Sequence, residues 1–185
     1  MKRIFILLSL LFLFFLANAQ KYITKNGYIG FFSHTPVEDI KADNNQVASV
    51  LDISTGELVF QVLIKSFKFQ KAIMEVHFNE NYLESDKFQK STFTGRITNL
   101  SEVDFSKNGS YDVNVEGDLT IHGISKKMAA KGSLEVSDGG INASSKFTLI
   151  PEDFNVTIPS VVRNNIAKTI EVTTILKLAP LQGGK

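Results

Sequence analysis

The sequence predicts an all-β protein of about eight short antiparallel strands, closed as a barrel or packed as a sandwich, with one or two short helices. Three observations carry this. Apolar residues recur with period two through most of residues 27–178. Glycine-containing turns separate the alternating runs. Only two segments break the pattern, which leaves little room for helices between strands.

Residues 1–19 stand apart from this pattern. Met1-Lys2-Arg3 gives a positive start, residues 4–16 are apolar except for Ser9, and Ala17-Asn18-Ala19 places small residues where a signal peptidase reads them. Charge, length and cleavage site are those of a secretory signal peptide, with an uncleaved anchor as the alternative. The run ends at Gln20, well short of the roughly 20 apolar residues a spanning helix needs. With Gln rather than Cys at that position, no cysteine is offered for acylation. Two of the chain's 20 basic residues lie in this leader, so residues 20–185 carry 18 basic and 19 acidic side chains, a net charge of −1. That balance excludes an electrostatic case for nucleic acid or an anionic membrane. The absence of cysteine excludes a disulfide scaffold, a thiolate metal site and a cysteine nucleophile. Residues 20–185 form one domain, without a repeat, a linker or an internal boundary.

Within that domain the first strands are expected near residues 27–33 and 37–42. Residues 46–54 and 57–65 flank Thr55-Gly56, and Leu58, Phe60, Val62 and Ile64 share one face of the second. Asn81-Tyr82-Leu83-Glu84 has the spacing of a capping box and predicts a helix of two turns or so through Phe88. Phe93, Gly95 and Ile97 then alternate along residues 91–99. The clearest pattern follows, where Val113, Val115, Gly117, Leu119 and Ile121 oppose Asp112, Asn114, Glu116, Asp118 and Thr120. Met128, Ala130, Gly132, Leu134 and Val136 form the next apolar face, and Ile141, Ala143, Ser145, Phe147 and Leu149 the one after. His122-Gly123 and Asp138-Gly139-Gly140 supply the positive φ that tight hairpins require. Residues 151–168 break the pattern again, with Pro159 able to open a short helix. Ile170, Val172, Thr174, Leu176 and Leu178 mark the last strand. The polar faces have no place against lipid, so the sheet turns them to water and its apolar faces inward.

Signals for catalysis are weak. His34, His77 and His122 are the three histidines, and none has a partner at metal-ligand spacing. Nucleophile elbow, phosphate loop and dinucleotide fingerprint are missing from the sequence. The carboxylates Asp112, Glu116 and Asp118, and the pair Glu152/Asp153, read as solvated surface. Sequons at Asn99, Asn108, Asn142 and Asn155 matter only in a glycosylating pathway.

Two stretches carry a family resemblance. Phe67-Lys68-Phe69, then residues 74–88 and Phe93-Thr94-Gly95, resemble the central motif of YceI-like proteins, and residues 115–123 are similar to that family's G-x-L-T-I-x-G strand and turn. Asp153-Phe154, Ile158-Pro159-Ser160 and the last strand fit as well. The variant is similar to Bacteroidetes-type sequences, although Gln89 stands where many members have proline. The resemblance covers nearly all of residues 28–180. It implies an eight-stranded antiparallel, lipocalin-like barrel exported to the periplasm, with an elongated apolar cavity in which some members bind a polyisoprenoid or another long-chain lipid. The inward faces place Phe60, Phe93, Leu119, Ile121, Phe147 and Leu149 to line such a slot. Each is equally good as packed core, so ligand contact and plain packing both stay open. A true lipocalin is disfavoured, since the chain has neither Trp nor Cys.

The expected function is therefore non-catalytic binding of an isoprenoid or other amphiphilic lipid, for carriage or sequestration, without cofactor or metal. Two alternatives stand beside it. One is a barrel with a filled core acting through protein partners. The other is a small hydrolase or metal-dependent factor using His77, Asn79 and Glu80. Secretion outside the cell is the alternative to the periplasm, and the oligomeric state stays open, a homodimer included.

Overall fold

Eight long strands close an antiparallel barrel in the structure, a computed structural model that describes residues 21–181. The predicted leader lies outside the described residues. The strands are β1 (Lys21–His34), β2 (Asp39–Asp52), β3 (Glu57–Leu63), β5 (Lys90–Ile97), β6 (Gly109–Ile121), β7 (Ile124–Ser137), β8 (Gly140–Leu149) and β9 (Ile170–Pro180). A two-residue strand, β4 (Lys68–Phe69), adds to β2 at Ala42 and Asp43. Neighbouring strands follow the order β1-β9-β8-β7-β6-β5-β3-β2, and β1 pairs with both β2 and β9 to close the ring. No helix among the described residues is long and apolar enough to cross a membrane.

The period-two faces of β6, β7 and β8 lie where alternation predicts, because a half-buried strand leaves each side chain only one face to take. His122 and Gly123 turn β6 into β7 with φ of 50° and 77°, as a two-residue hairpin requires. The predicted strands at 37–42 and 46–54 are instead one strand, β2. The polar residues Asp43-Asn44-Asn45 between the two expected strands lead into a β-bulge, with one extra residue between the pairs Gly27–Val47 and Ile29–Asn44. Asn44 is buried there, donating to the Leu63 carbonyl at 3.0 Å and accepting from the Gln46 amide at 2.8 Å. Its satisfied amide is what lets a polar residue continue a strand through the core.

The helix also differs from expectation. α1 spans Ala72–His77 and runs on as a π-turn over Phe78–Tyr82, while residues 83–88 are not helical. The Asn81/Glu84 capping pattern goes unused because Glu84 takes a left-handed φ of 42° and turns its carboxylate to His122 instead. α1 has no side-chain cap of its own. Packing of Phe78 against the barrel wall holds it, so propensity gave no signal. Pro159 precedes a 3₁₀ turn over Ser160–Asn165, close to the expected short helix.

At one end of the barrel the connection between β5 and β6 folds inward, and Val103 joins Leu51, Ile97, Val113, Leu134 and Leu178 in a buried plug. At the other end two longer connections, residues 64–89 and 150–169, form a roof. Ile64, Leu83, Phe154 and Val156 from these connections pack with Phe93 and Leu119 of the wall.

Close strand approach is set by Gly95 and Gly117, which face each other across β5 and β6. A methyl group at Gly117 would lie 2.5 Å from the Gly95 Cα and 2.7 Å from the Phe93 ring. Gly117→Val is expected to lower unfolding stability in urea by about 1–3 kcal/mol, since both obstacles are packed against further strands. At the closing seam the Tyr28 phenol donates to Asp43 Oδ1 at 2.6 Å, across β1 and β2. That hydrogen bond, with desolvation and the Asp43 charge, pushes the phenol up to about 12. A raised value stabilises the fold fully below the unfolded phenol's pH of about 10, and the contribution is lost as pH rises toward 12. Tyr28→Phe is expected to lower stability at pH 8 by about 1 kcal/mol and to flatten this alkaline loss in denaturation measured from pH 8 to 12.

Candidate ligand-binding site

Between plug and roof the barrel is not filled by its own side chains. A cavity of about 390 Å³ remains, walled almost entirely by apolar groups. Two rows of side chains, each running across adjacent strands, make its walls. Phe60, Phe93 and Leu119 stand directly opposite one another on β3, β5 and β6. Phe147, Val172 and Phe31 do so on β8, β9 and β1. Leu149 and Ile121 lie nearer the roof. All six residues expected from sequence face the cavity.

Sequence reasoning missed the aromatic corner where the roof meets β1. Phe31, Phe67, Phe69 and Phe78 pack there with ring centroids 5.0–5.7 Å apart, in stacked, tilted and edge-on pairs. Phe67-x-Phe69 was visible as a motif, but only the fold of the 64–82 connection brings its rings onto Phe31. Small residues at Ala130, Gly132 and Ala143 leave the rest of the space open.

Polar groups gather at the roof. Glu38, in the β1–β2 turn, accepts from Lys71 Nζ at 2.6 Å and from Asn165 Nδ2 at 3.2 Å, and these bonds hold its carboxyl below the usual carboxylate range. The Ser33 hydroxyl accepts from the Ala167 amide at 2.8 Å. Burial raises the Tyr82 phenol, which lines the cavity and stays a neutral donor. On the opposite side His122, almost buried, has Nε2 2.7 Å from Glu84 Oε2 and Nδ1 3.2 Å from the Phe154 carbonyl. Both ring nitrogens therefore have a polar partner from a roof connection. The Phe88 ring meets the imidazole edge-on at 4.5 Å. One side chain thus ties the β6–β7 turn to both roof connections.

His77, Asn79 and Glu80 do not assemble into a reactive group. His77 borders the cavity, the Asn79 amide donates to the Glu75 carbonyl at 2.8 Å, and Glu80 is exposed. Among the described residues no three His, Asp or Glu side chains converge as metal ligands would.

The sequence pattern of the YceI-like domain matches residues 21–178. The chain belongs to the YceI-like family. No curated protein matches it. Among solved structures, this YceI-like barrel is similar to a polyisoprenoid binding domain from Saccharophagus degradans, implicated in plant cell wall breakdown. The TM-score is 0.76 at 13% identity, over 88% of this chain and 99% of that one. Burkholderia cenocepacia BcnA gives 0.63 at 12% identity, over 83% and 96%. The Campylobacter jejuni YCEI protein gives 0.61 at 17%, over 81% and 90%. At these identities the likeness is one of fold.

For the YceI-like barrel, His122→Ala leaves the Phe154 carbonyl and Glu84 without their partner. It is expected to cost about 1–2 kcal/mol in denaturant unfolding and to speed hydrogen exchange of the Leu83–Phe88 amides more than that of β6.

Proposed function

We propose that the protein is an exported, non-catalytic barrel that holds the chain of a polyisoprenoid or other long-chain amphiphile in its interior, for carriage or sequestration. The observation that carries this reading is the 390 Å³ apolar cavity. Its volume falls within the ~300–1,000 Å³ of small-molecule sites. If left empty, at ~24 cal/mol per Å³, a void of 390 Å³ would cost roughly 9 kcal/mol. That is comparable to the whole stability of a domain, ~5–15 kcal/mol. Filling it with methylenes removes them from water at ~0.8 kcal/mol each, about 8 kcal/mol for a run of ten.

Phe60, Phe93 and Leu119 are proposed as one contact surface for the chain, and Ile121, Phe147 and Leu149 as the surface nearer the roof. The Saccharophagus domain, described as polyisoprenoid-binding, supports the same class of ligand. The size of the cavity weighs against a filled core acting only through partners, and the separation of Asn79 and Glu80 weighs against an enzyme built on His77. Export to the periplasm rests on the leader at residues 1–19.

Organic-solvent extraction of the purified mature protein, followed by mass spectrometry, is expected to release a lipid in near-stoichiometric amount. Ala130→Trp, which projects an indole into the cavity, is expected to cut that amount several-fold while leaving the far-ultraviolet circular dichroism unchanged. Extracts without lipid, together with no uptake of an added fatty acid, would refute the reading.

A further inference from the structure

The barrel wall is not continuous. β7 pairs with β6 along its whole length, from Ile124 to Val136, but with β8 only from Gly132 to Ser137. Beyond that point β8 keeps only its pairing with β9, which runs on to Leu149 opposite Ile170. Continuing the β7–β8 register, residues 128–131 of β7 face residues 146–149 of β8 with no backbone pairing between them, and residues 124–127 extend past the end of β8. The ladder ends on a side chain, where the Ser145 hydroxyl donates to the Lys131 carbonyl at 2.6 Å. That bond shows the Lys131 carbonyl pointing toward β8, so the alternation of an antiparallel strand aims the backbone groups of Ala129, Lys127 and Ser125 at the same gap. Such groups must meet water, and all four of these residues are exposed.

The cavity reaches this gap. Met128, Ala130, Phe147 and Leu149 line it from inside and are half-buried, whereas Leu134, Val136 and Ile141, lower on the same two strands, are buried. Ser133 and Ser144, whose hydroxyls meet at 3.0 Å, border the cavity at the lower corner of the gap. The Lys126–Asp153 ion pair, 3.1 Å, closes the upper edge.

We infer that this gap is a lateral portal through which the apolar chain of the ligand enters and leaves. The inference rests on the lipid-binding reading above and adds the route. The competing route through the roof requires breaking the Glu38–Lys71 and Glu38–Asn165 contacts on one side, or the contacts of His122 on the other. Opening at the gap breaks no backbone ladder. An open strand edge also invites a strand from another chain, but the lysines at 126, 127, 131 and 146 flank this one, and charge of that kind discourages strand addition.

The chain has no cysteine, so Ala129→Cys and Thr148→Cys, which continue the Gly132–Ser145 register, can be bridged across the gap with a short bis-maleimide. The same double variant, capped singly with N-ethylmaleimide, is the control. Mass spectrometry verifies the bridge, and the probe is cis-parinaric acid, followed by fluorescence in stopped flow. The bridged protein is expected to take up and release the probe about tenfold more slowly or worse than the capped control, as gated sites do, with similar binding at equilibrium. Equal rates in the two forms overturn the portal and leave the lipid-binding reading standing. A wild-type dimer that the capped variant loses overturns the portal in favour of strand addition at this edge. No uptake by any form, wild type included, sinks the lipid-binding reading and the portal with it.

Discussion

Closure of β1 against both β2 and β9 is the constraint on which the remaining structure depends. The strands bury chiefly one face, so an open sheet of the same sequence would leave the inward rows of Phe60, Phe93 and Leu119 facing water. Closing the sheet hides that face without a second layer. The Asn44 bulge and the Tyr28–Asp43 hydrogen bond sit at the closing seam, where curvature and strand twist have to be absorbed. Once eight strands are joined, the interior width is set by strand number, and the side chains supplied decide whether it fills. Here Ala130, Gly132 and Ala143 face inward among the larger residues. The space they leave is the cavity.

The two ends of the barrel are handled by different physics. The plug end is apolar and tightly packed around Val103. The roof end is tied by polar side chains from turns, Glu38 on one side and His122 on the other. His122 and Glu84 both hold left-handed backbone conformations without being glycine, at a cost of order 1 kcal/mol each. Their mutual contact explains why that strain persists. In the proposed function, a roof held by such ties serves to retain a chain, and the wall left unpaired between β7 and β8 serves to admit one.

Much of this was legible in the sequence wherever one rule governed a residue. In β6, β7 and β8 a side chain has two faces to choose from, and the alternation of Val113 to Ile121 or Ile141 to Leu149 decides between them. Leu119, Ile121, Phe147 and Leu149 followed from that choice, and Phe60 and Phe93 from the same alternation in β3 and β5. Where two rules competed the reading failed. Asn81 and Glu84 match a capping box, but a tertiary contact to His122 claimed the carboxylate. The polar residues Asp43 to Asn45 separate the two expected strands, yet a carbonyl from β3 satisfies Asn44 and the strand continues. The roof aromatics Phe31 and Phe78 stand far apart in sequence, and no local pattern brings them together.

By itself the sequence determined the class of fold, the inward face of most strands, the hairpin at His122-Gly123 and the family. These are properties of neighbouring residues, governed by backbone geometry and the two-residue period. The tertiary structure alone decided that the barrel is hollow, that its wall is unpaired between β7 and β8, and that His122 pins the roof. Each of those depends on volumes and partners drawn from strands distant in the chain, and a difference between packed and empty space has no signature in a pattern of apolar and polar letters.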